Sequence, residues 1–171
     1  IDLTVGGDLY VEKGGTISAT SKGFSIGKAG LGGCSGAGHG GWWPSTSDAR
    51  PSYGSIFRPA TLGSCGSTTG SDNGGGRVRV VVAGTVNLAG TIEANGMECG
   101  NYCGSGGSVW LTCGALVGAG EVQANGGWIS AYYDPGCGGR VAVYQTTATD
   151  FSAFTGKIIA NGGGHTGSGN F

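Results

Sequence analysis

Three stretches of this chain are one phrase written three times: "TIEANG" at 91–96, "EVQANG" at 121–126 and "KIIANG" at 157–162, with 30 and 36 residues between successive alanines. Self-similarity at a fixed long period is the signature of stacked structural units, each of which cannot bury its apolar face alone. Aligning on the alanine gives four units, at about 3–23, 77–96, 108–127 and 140–163. The first is divergent and carries Thr20 where the others carry Asn95, Asn125 and Asn161.

Within each unit the apolar residues alternate, as they do in a strand with one buried face. Val78, Val80 and Val82 share one parity, matched by Val109, Leu111 and Cys113, while Ile92 and Ala94 are matched by Val122 and Ala124 and by Ile158 and Ala160. Glu93, Gln123 and Ile159 then face the other way. Two strand segments per unit, joined at small-residue corners such as "AGT" or "GAG", make one coil. Stacked in register, the units bring Ile92, Val122 and Ile158 into a row about 4.8 Å apart. Asn95, Asn125 and Asn161 form a second row, a polar ladder. Asparagine tolerates the left-handed conformation that ends a strand, and the following glycine completes the turn. No window long enough for an amphipathic helix lacks glycine.

The predicted fold is therefore all-β: a single domain, 1–171, built as a short right-handed parallel β-helix or solenoid of about four coils with long Gly-rich loops. Asn-Gly is also a strong hairpin signal, and an antiparallel sandwich or barrel is the competing architecture. The sequence after each Asn-Gly reads as loop, not as a second strand, which favours the parallel arrangement.

Glycine contributes 41 of 171 residues, close to the level at which disorder becomes the default, but 38% of residues are hydrophobic and only 11% are charged. That combination opposes an unfolded chain. A net charge of −1 without a basic stripe argues against nucleic acid. No stretch approaches the roughly 20 apolar residues of a membrane span. The opening "IDLTVGGDLYVEKGG" reads as strand with no signal peptide, which predicts a mature or excised chain.

Six cysteines, Cys34, Cys65, Cys99, Cys103, Cys113 and Cys137, make disulfide staples and an oxidising, extracellular compartment the expectation. Their pairing stays open among 15 connectivities; a Cys34–Cys65 bridge would stabilise by roughly 3–4 kcal/mol. Cys113 is anomalous, because its parity turns it inward. Cys99 and Cys103 have a tight spacing, but no second pair or suitably spaced histidine makes a zinc site, and no metal or cofactor is expected.

The segment 24–76 is the longest insertion. It holds Trp42, Trp43, Tyr53 and Phe57, which either cap the first coil or form a stacking platform for sugar. "GAGHGG" at 36–41 matches a dinucleotide fingerprint only formally, since it lacks the flanking strand and helix. No catalytic residue is assigned: His39 and His165 have no carboxylate at a telling spacing, Glu93 aligns with Gln123 instead of with an acid, and Arg77 and Arg140 occupy equivalent strand starts.

The succession "GAGHGG", "YGS", "LGSCGS", "GGGRVRV", "GTIEANG", "GGSVWL", "VGAGEVQANGG", "GGRVAVY" resembles a Gly-rich parallel β-helix module of large secreted and cell-surface proteins. The resemblance covers nearly the whole chain and implies an extracellular structural or adhesive role without catalytic residues; the cysteines depart from the pattern. Ser and Thr number 31 against 19 charged residues, a surface suited to polysaccharide, hydrated mineral or close protein packing. The expected function is an extracellular scaffold that stacks with copies of itself or with neighbouring repeats. A carbohydrate-binding module using residues 42–58 is the alternative, and a polysaccharide-active enzyme a more distant one.

Overall fold

The computed structural model describes residues 1–25, 39–40, 52–66, 72–99, 102–128 and 135–164, together with the backbone of 43–44 and 49–50. The thirteen strands among the described residues group by unit and insertion. The first unit holds β1 (Asp2–Val5), β2 (Leu9–Val11) and β3 (Thr16–Ser18). The insertion contributes only the antiparallel pair β4 (Trp43–Pro44) and β5 (Ala49–Arg50). The second unit supplies β6 (Arg77–Val82), β7 (Thr85–Leu88) and β8 (Thr91–Glu93), and the third β9 (Ser108–Cys113), β10 (Ala115–Val117) and β11 (Glu121–Gln123). The fourth unit adds β12 (Arg140–Gln145) and, as the thirteenth strand, β13 (Lys157–Ile159).

These strands form three parallel sheets, each taking one strand per unit: β1-β6-β9-β12, β2-β7-β10 and β3-β8-β11-β13. In the middle sheet the fourth unit contributes a single bridge, Phe154 to Gly118. The all-β, parallel character agrees with the alternation in the sequence. Each of the first three units has three strands, however, not two. The motif "AGT" occurs twice in the second unit, at 83–85 and 89–91, so there are two corners between three strands.

The registers place Ile17, Ile92, Val122 and Ile158 in one row and Leu3, Val80, Leu111 and Val143 in another. Val78, Val80, Val86, Leu88, Ile92, Val109, Leu111, Leu116 and Val122 are all fully buried in one apolar cluster. Each such side chain contributes roughly 1.5–3 kcal/mol of transfer free energy. The central two units therefore carry the core, and the outer units close it incompletely: Ile158 is 43% exposed where its row-mates Ile92 and Val122 are at 0%.

The Gly-rich segments between units are packed, not looped out. Residues 63–66, 74–76, 103–109 and 135–139 are buried and bonded main chain to main chain: Gly63 N–H donates to Gly75 C=O, Gly75 N–H to Ser105 C=O, Gly106 N–H to Cys137 C=O, and Gly107 N–H to Ala94 C=O. A β-carbon on Gly75 would collide with the Ala94 carbonyl and the Gly107 nitrogen, and one on Gly106 with the Ala124 carbonyl and the Gly139 nitrogen. Among the described glycines only Gly14, Gly54 and Gly118 have positive φ. Glycine is required in these packed segments for close approach of backbones, not for a left-handed turn.

The same observation corrects the expected strand ends. None of Asn95, Asn125 and Asn161 or the glycines after them lies in the left-handed region; the single described non-glycine with positive φ is Ser21. The chain leaves each third strand in extended form and runs straight into the glycine layer, where a β-carbon on Gly96 or Gly126 would strike Gly104 or Gly136.

Of the cysteines, Cys99 and Cys103 form a disulfide. Cys113 and Cys137 are buried thiols, contrary to the expectation of full pairing. Cys113 faces the core as its parity requires, and desolvation pushes its thiol up to about 11. Burial likewise raises Cys137. Cys65 is buried, and a bridge to Cys34 lies outside the described residues.

Candidate functional site

Two ladders run along the stack beside the third sheet. Strand register sets each asparagine one unit above the last, just past the strand end, so that its side chain reaches the backbone of the unit above. Asn95 N–H donates to Thr20 Oγ1 at 3.2 Å, Asn125 N–H to Asn95 Oδ1 at 2.8 Å, and Asn161 N–H to Asn125 Oδ1 at 2.9 Å. Thr20 thus takes the asparagine's place in the first unit, with a hydroxyl as acceptor. The bonds join side chain to main chain, unlike an amide-to-amide ladder.

The second ladder lies two residues earlier, on the outer face. Ser18 Oγ donates to Glu93 Oε1 at 2.7 Å, and Gln123 Nε2 to Glu93 Oε2 at 3.0 Å. Asn95 Nδ2 and Asn125 Nδ2 tie the two ladders together through Glu93 Oε2 at 3.1 Å and Gln123 Oε1 at 2.9 Å. A carboxylate with this many donors is a structural acceptor. Glu93 has no second acid beside it in the row, because Gln123 and Ile159 follow it in register.

At Asn161 the first ladder ends. Its Oδ1 accepts no bond from a described residue, and Ile158, Ala160, Asn161 and Gly162 are exposed where their counterparts in the second and third units are buried or half-buried. A β-carbon on Gly162 would meet nothing nearer than 3.8 Å, in contrast to Gly96 and Gly126. This end presents a row of the same chemistry that the chain uses internally: an apolar position, an alanine, an amide acceptor and a bare glycine. At the opposite end Asp2 is the acidic counterpart, paired with Arg79 at 2.9 Å and Arg77 at 3.7 Å; Arg140 is the residue two units on in the Arg77 row.

The described part of the insertion is bonded across the outer face of the first sheet, and its Ala60 and Leu62 lie beside Ile1, Ala19 and Lys22 of the first unit. Tyr144 OH donates to Phe57 C=O at 2.7 Å, Arg140 Nε to Tyr53 C=O at 2.8 Å, and Ser108 Oγ to Thr61 C=O at 2.6 Å. Tyr53 is buried, its hydroxyl donating to Leu62 C=O at 2.7 Å and accepting from Ser64 Oγ at 2.8 Å. Burial raises its phenol. Of the predicted surface aromatics Trp42, Trp43, Tyr53 and Phe57, Trp42 and the side chain of Trp43 lie outside the described residues, Tyr53 is buried and Phe57 is 68% exposed.

His39 is the buried residue that sequence reasoning passed over. It is completely enclosed, with its ring 4.7 Å from that of Tyr53. Nδ1 lies 2.8 Å from Gly106 C=O and Nε2 lies 2.7 Å from Thr61 Oγ1. The carbonyl can only accept, so Nδ1 carries the proton and Nε2 receives the threonine hydroxyl. Desolvation holds His39 down to about 4, against the bond to Gly106, with Arg140 adding to the depression. A neutral histidine of this kind pins the insertion to the glycine layer. The signal available in the sequence was a lone histidine set in "GAGHGG", where a side chain surrounded by glycines can be received into a glycine-walled slot.

Among the described residues no cluster of three or more His, Cys, Asp or Glu could hold a metal ion, and no helix is long and apolar enough to cross a membrane. No family model, no curated protein and no solved structure matches the chain.

Proposed function

We propose that this chain is an extracellular structural protein, a short right-handed parallel β-solenoid of about four coils whose copies, or whose neighbouring repeats, stack end to end into a filament or matrix. The observation that carries the reading is the open fourth unit: exposed Ile158 and Ala160 and the unused Asn161 Oδ1 repeat the surface that binds each unit to the next inside the chain. Copies joined head to tail would set Thr20 N–H of one over Asn161 Oδ1 of the other, Ile17 over Ile158, and Asp2 beside Arg140. Such a contact is heterologous and propagates without closing. The Cys99–Cys103 disulfide supports the oxidising compartment, and the Gly-rich β-helix module of secreted and cell-surface proteins is the family to which we assign it. A mineral-associated framework is the narrower form of the same reading, motivated by the hydroxyl-rich composition.

Sedimentation velocity over a range of concentrations tests this reading. The native chain is expected to assemble and Ile158→Arg to remain monomeric, the substitution being at a position exposed enough to leave the fold intact. Native chain that stays monomeric at every concentration would overturn it.

One observation favours a second reading, a carbohydrate-binding surface. Ile56 and Phe57 are 60% and 68% exposed on the insertion, next to Tyr144 at 40%, an arrangement on which a sugar ring can stack. Retention on a glycan array that disappears with Phe57→Ala would establish this reading; an array with no binding at all would remove it.

A further inference from the structure

Asn-Gly occurs four times in the chain: at 73–74, where Gly74 N–H donates to Phe24 C=O at 3.1 Å, and at 95–96, 125–126 and 161–162, three equivalent positions of which the structure treats one differently. Spontaneous deamidation at Asn-Gly begins when the backbone nitrogen of the glycine, having lost its proton to solvent base, attacks the asparagine Cγ. The new N–C bond closes a succinimide and ammonia leaves with the amide nitrogen. Water then opens the ring at either carbonyl, giving aspartate or, when the main chain is rerouted through the side chain, isoaspartate. Two things block the attack in a folded protein: a glycine N–H already engaged, and an asparagine side chain held away from it.

Both blocks are in place at the first two of these three sites. Gly96 N–H donates to Asn125 C=O at 2.8 Å and Gly126 N–H to Asn161 C=O at 2.9 Å. The corresponding side chains are clamped at both ends, Asn95 by Asn125 N–H and Glu93, Asn125 by Asn161 N–H and Gln123. Gly96 and Gly126 are buried as well. Neither block is present at the third. Among the described residues Gly162 N–H donates to nothing, Asn161 has neither a donor to Oδ1 nor an acceptor for Nδ2, because the next position back is Ile159, and Asn161 and Gly162 are exposed. Among the described residues the 161–162 peptide is held through the Asn161 carbonyl, which accepts from Gly126 N–H.

We infer that Asn161 is a self-modification site, converted in the folded protein to aspartate and isoaspartate with water as the sole co-reactant, while Asn95 and Asn125 are kept as amides by the ladder. The product places a carboxylate, and in the isoaspartate form an extra main-chain methylene, at the open end of the stack. The inference depends on the ladder's geometry in a single, unstacked chain; a copy stacked on the fourth unit would clamp Asn161 as Asn125 is clamped, so the test uses dilute, monomeric protein.

The test is peptide mapping by mass spectrometry of the dilute full-length protein in mildly alkaline buffer, with an isoaspartate assay, under conditions where the denatured, reduced chain deamidates at all three sites. Folded protein is expected to react at Asn161 at least about tenfold faster than at Asn95 or Asn125, which must first open locally. Gly162→Ala, whose β-carbon has room, is expected to slow Asn161 by hindering the attacking nitrogen while leaving the fold unchanged. Comparable rates at the three sites in the folded protein, or an Asn161 that stays amide while the denatured chain reacts, would overturn the inference.

Discussion

Asn161 N–H donates to Asn125 Oδ1 at 2.9 Å across 36 residues of sequence, and Asn125 N–H donates to Asn95 Oδ1 at 2.8 Å across 30. One side-chain oxygen per unit thus satisfies a backbone donor that the strand pairing has left behind, at the point where each strand gives way to the glycine layer. The faithful repetition of Ala-Asn-Gly follows from three demands in a row: a small inward residue, an acceptor reaching up one unit, and a residue without a β-carbon.

Asn125→Ala removes the acceptor for Asn161 N–H and the donor to Gln123, and is expected to destabilise by about 1–3 kcal/mol. Asn125→Thr should recover part of that loss, since Thr20 already plays the part in the first unit. Chemical denaturation of the two variants measures the difference. Equal stabilities for alanine and threonine would show that the side-chain acceptor is not what holds the units.

The glycine layer predicts a contrast between glycines. Gly75→Ala, Gly106→Ala and Gly107→Ala force a methyl into the neighbouring main chain and are each expected to cost about 3 kcal/mol or more, at the upper end of overpacking penalties. Gly6→Ala and Gly7→Ala, with no atom within 4 Å of the added carbon, should leave the melting temperature nearly unchanged. Similar effects in the two groups would mean the close packing is not retained in solution.

His39 makes stability depend on acid. Its folded value of about 4 lies below the ordinary 6.5, so the unfolded chain binds the proton more readily. The stabilisation is complete above about 6.5 and is lost as pH falls toward 4, by on the order of 3 kcal/mol in all. The pH dependence of unfolding of the native protein minus that of His39→Gln isolates this contribution. A difference that is flat between pH 4 and 6.5 would contradict the buried neutral imidazole.

Cysteine reactivity divides along the same lines. Cys113, fully buried and with its thiol pushed up to about 11, is expected to resist alkylation until global unfolding. Reduction of Cys99–Cys103, which closes a short loop, should cost about 2 kcal/mol on the chain-entropy view. Mass spectrometry after timed alkylation reads the first and denaturation with and without reductant reads the second; rapid labelling of Cys113 in the folded state would contradict its placement in the core.

What could be read in the sequence was what side chains encode by alternation. Val78, Val80 and Val82 announce a strand, and the matching of Ile92, Val122 and Ile158 announces its register. The middle strand of each unit was not legible, because "TVNL" and "ALV" are too short to show a period between two small-residue corners. The glycine segments were misread as loops for a deeper reason: contacts made by main chain on main chain leave no apolar periodicity, so packed glycine and unpacked glycine look alike in a sequence. His39 was hidden by the same blindness, since its partners are the Gly106 carbonyl and a threonine hydroxyl. The absence of an acid partner said nothing about burial.

The central claim is that the row ending at Ile158 and Asn161 continues into another unit of the same kind. Electron microscopy with diffraction of the native, unreduced protein tests it most directly. The account predicts filaments with strands across the axis, a layer spacing of about 4.8 Å and a longer repeat of about 19 Å for four stacked units, both absent from Ile158→Arg. Dispersed particles at every concentration, or filaments that form equally well with Ile158→Arg, would contradict it.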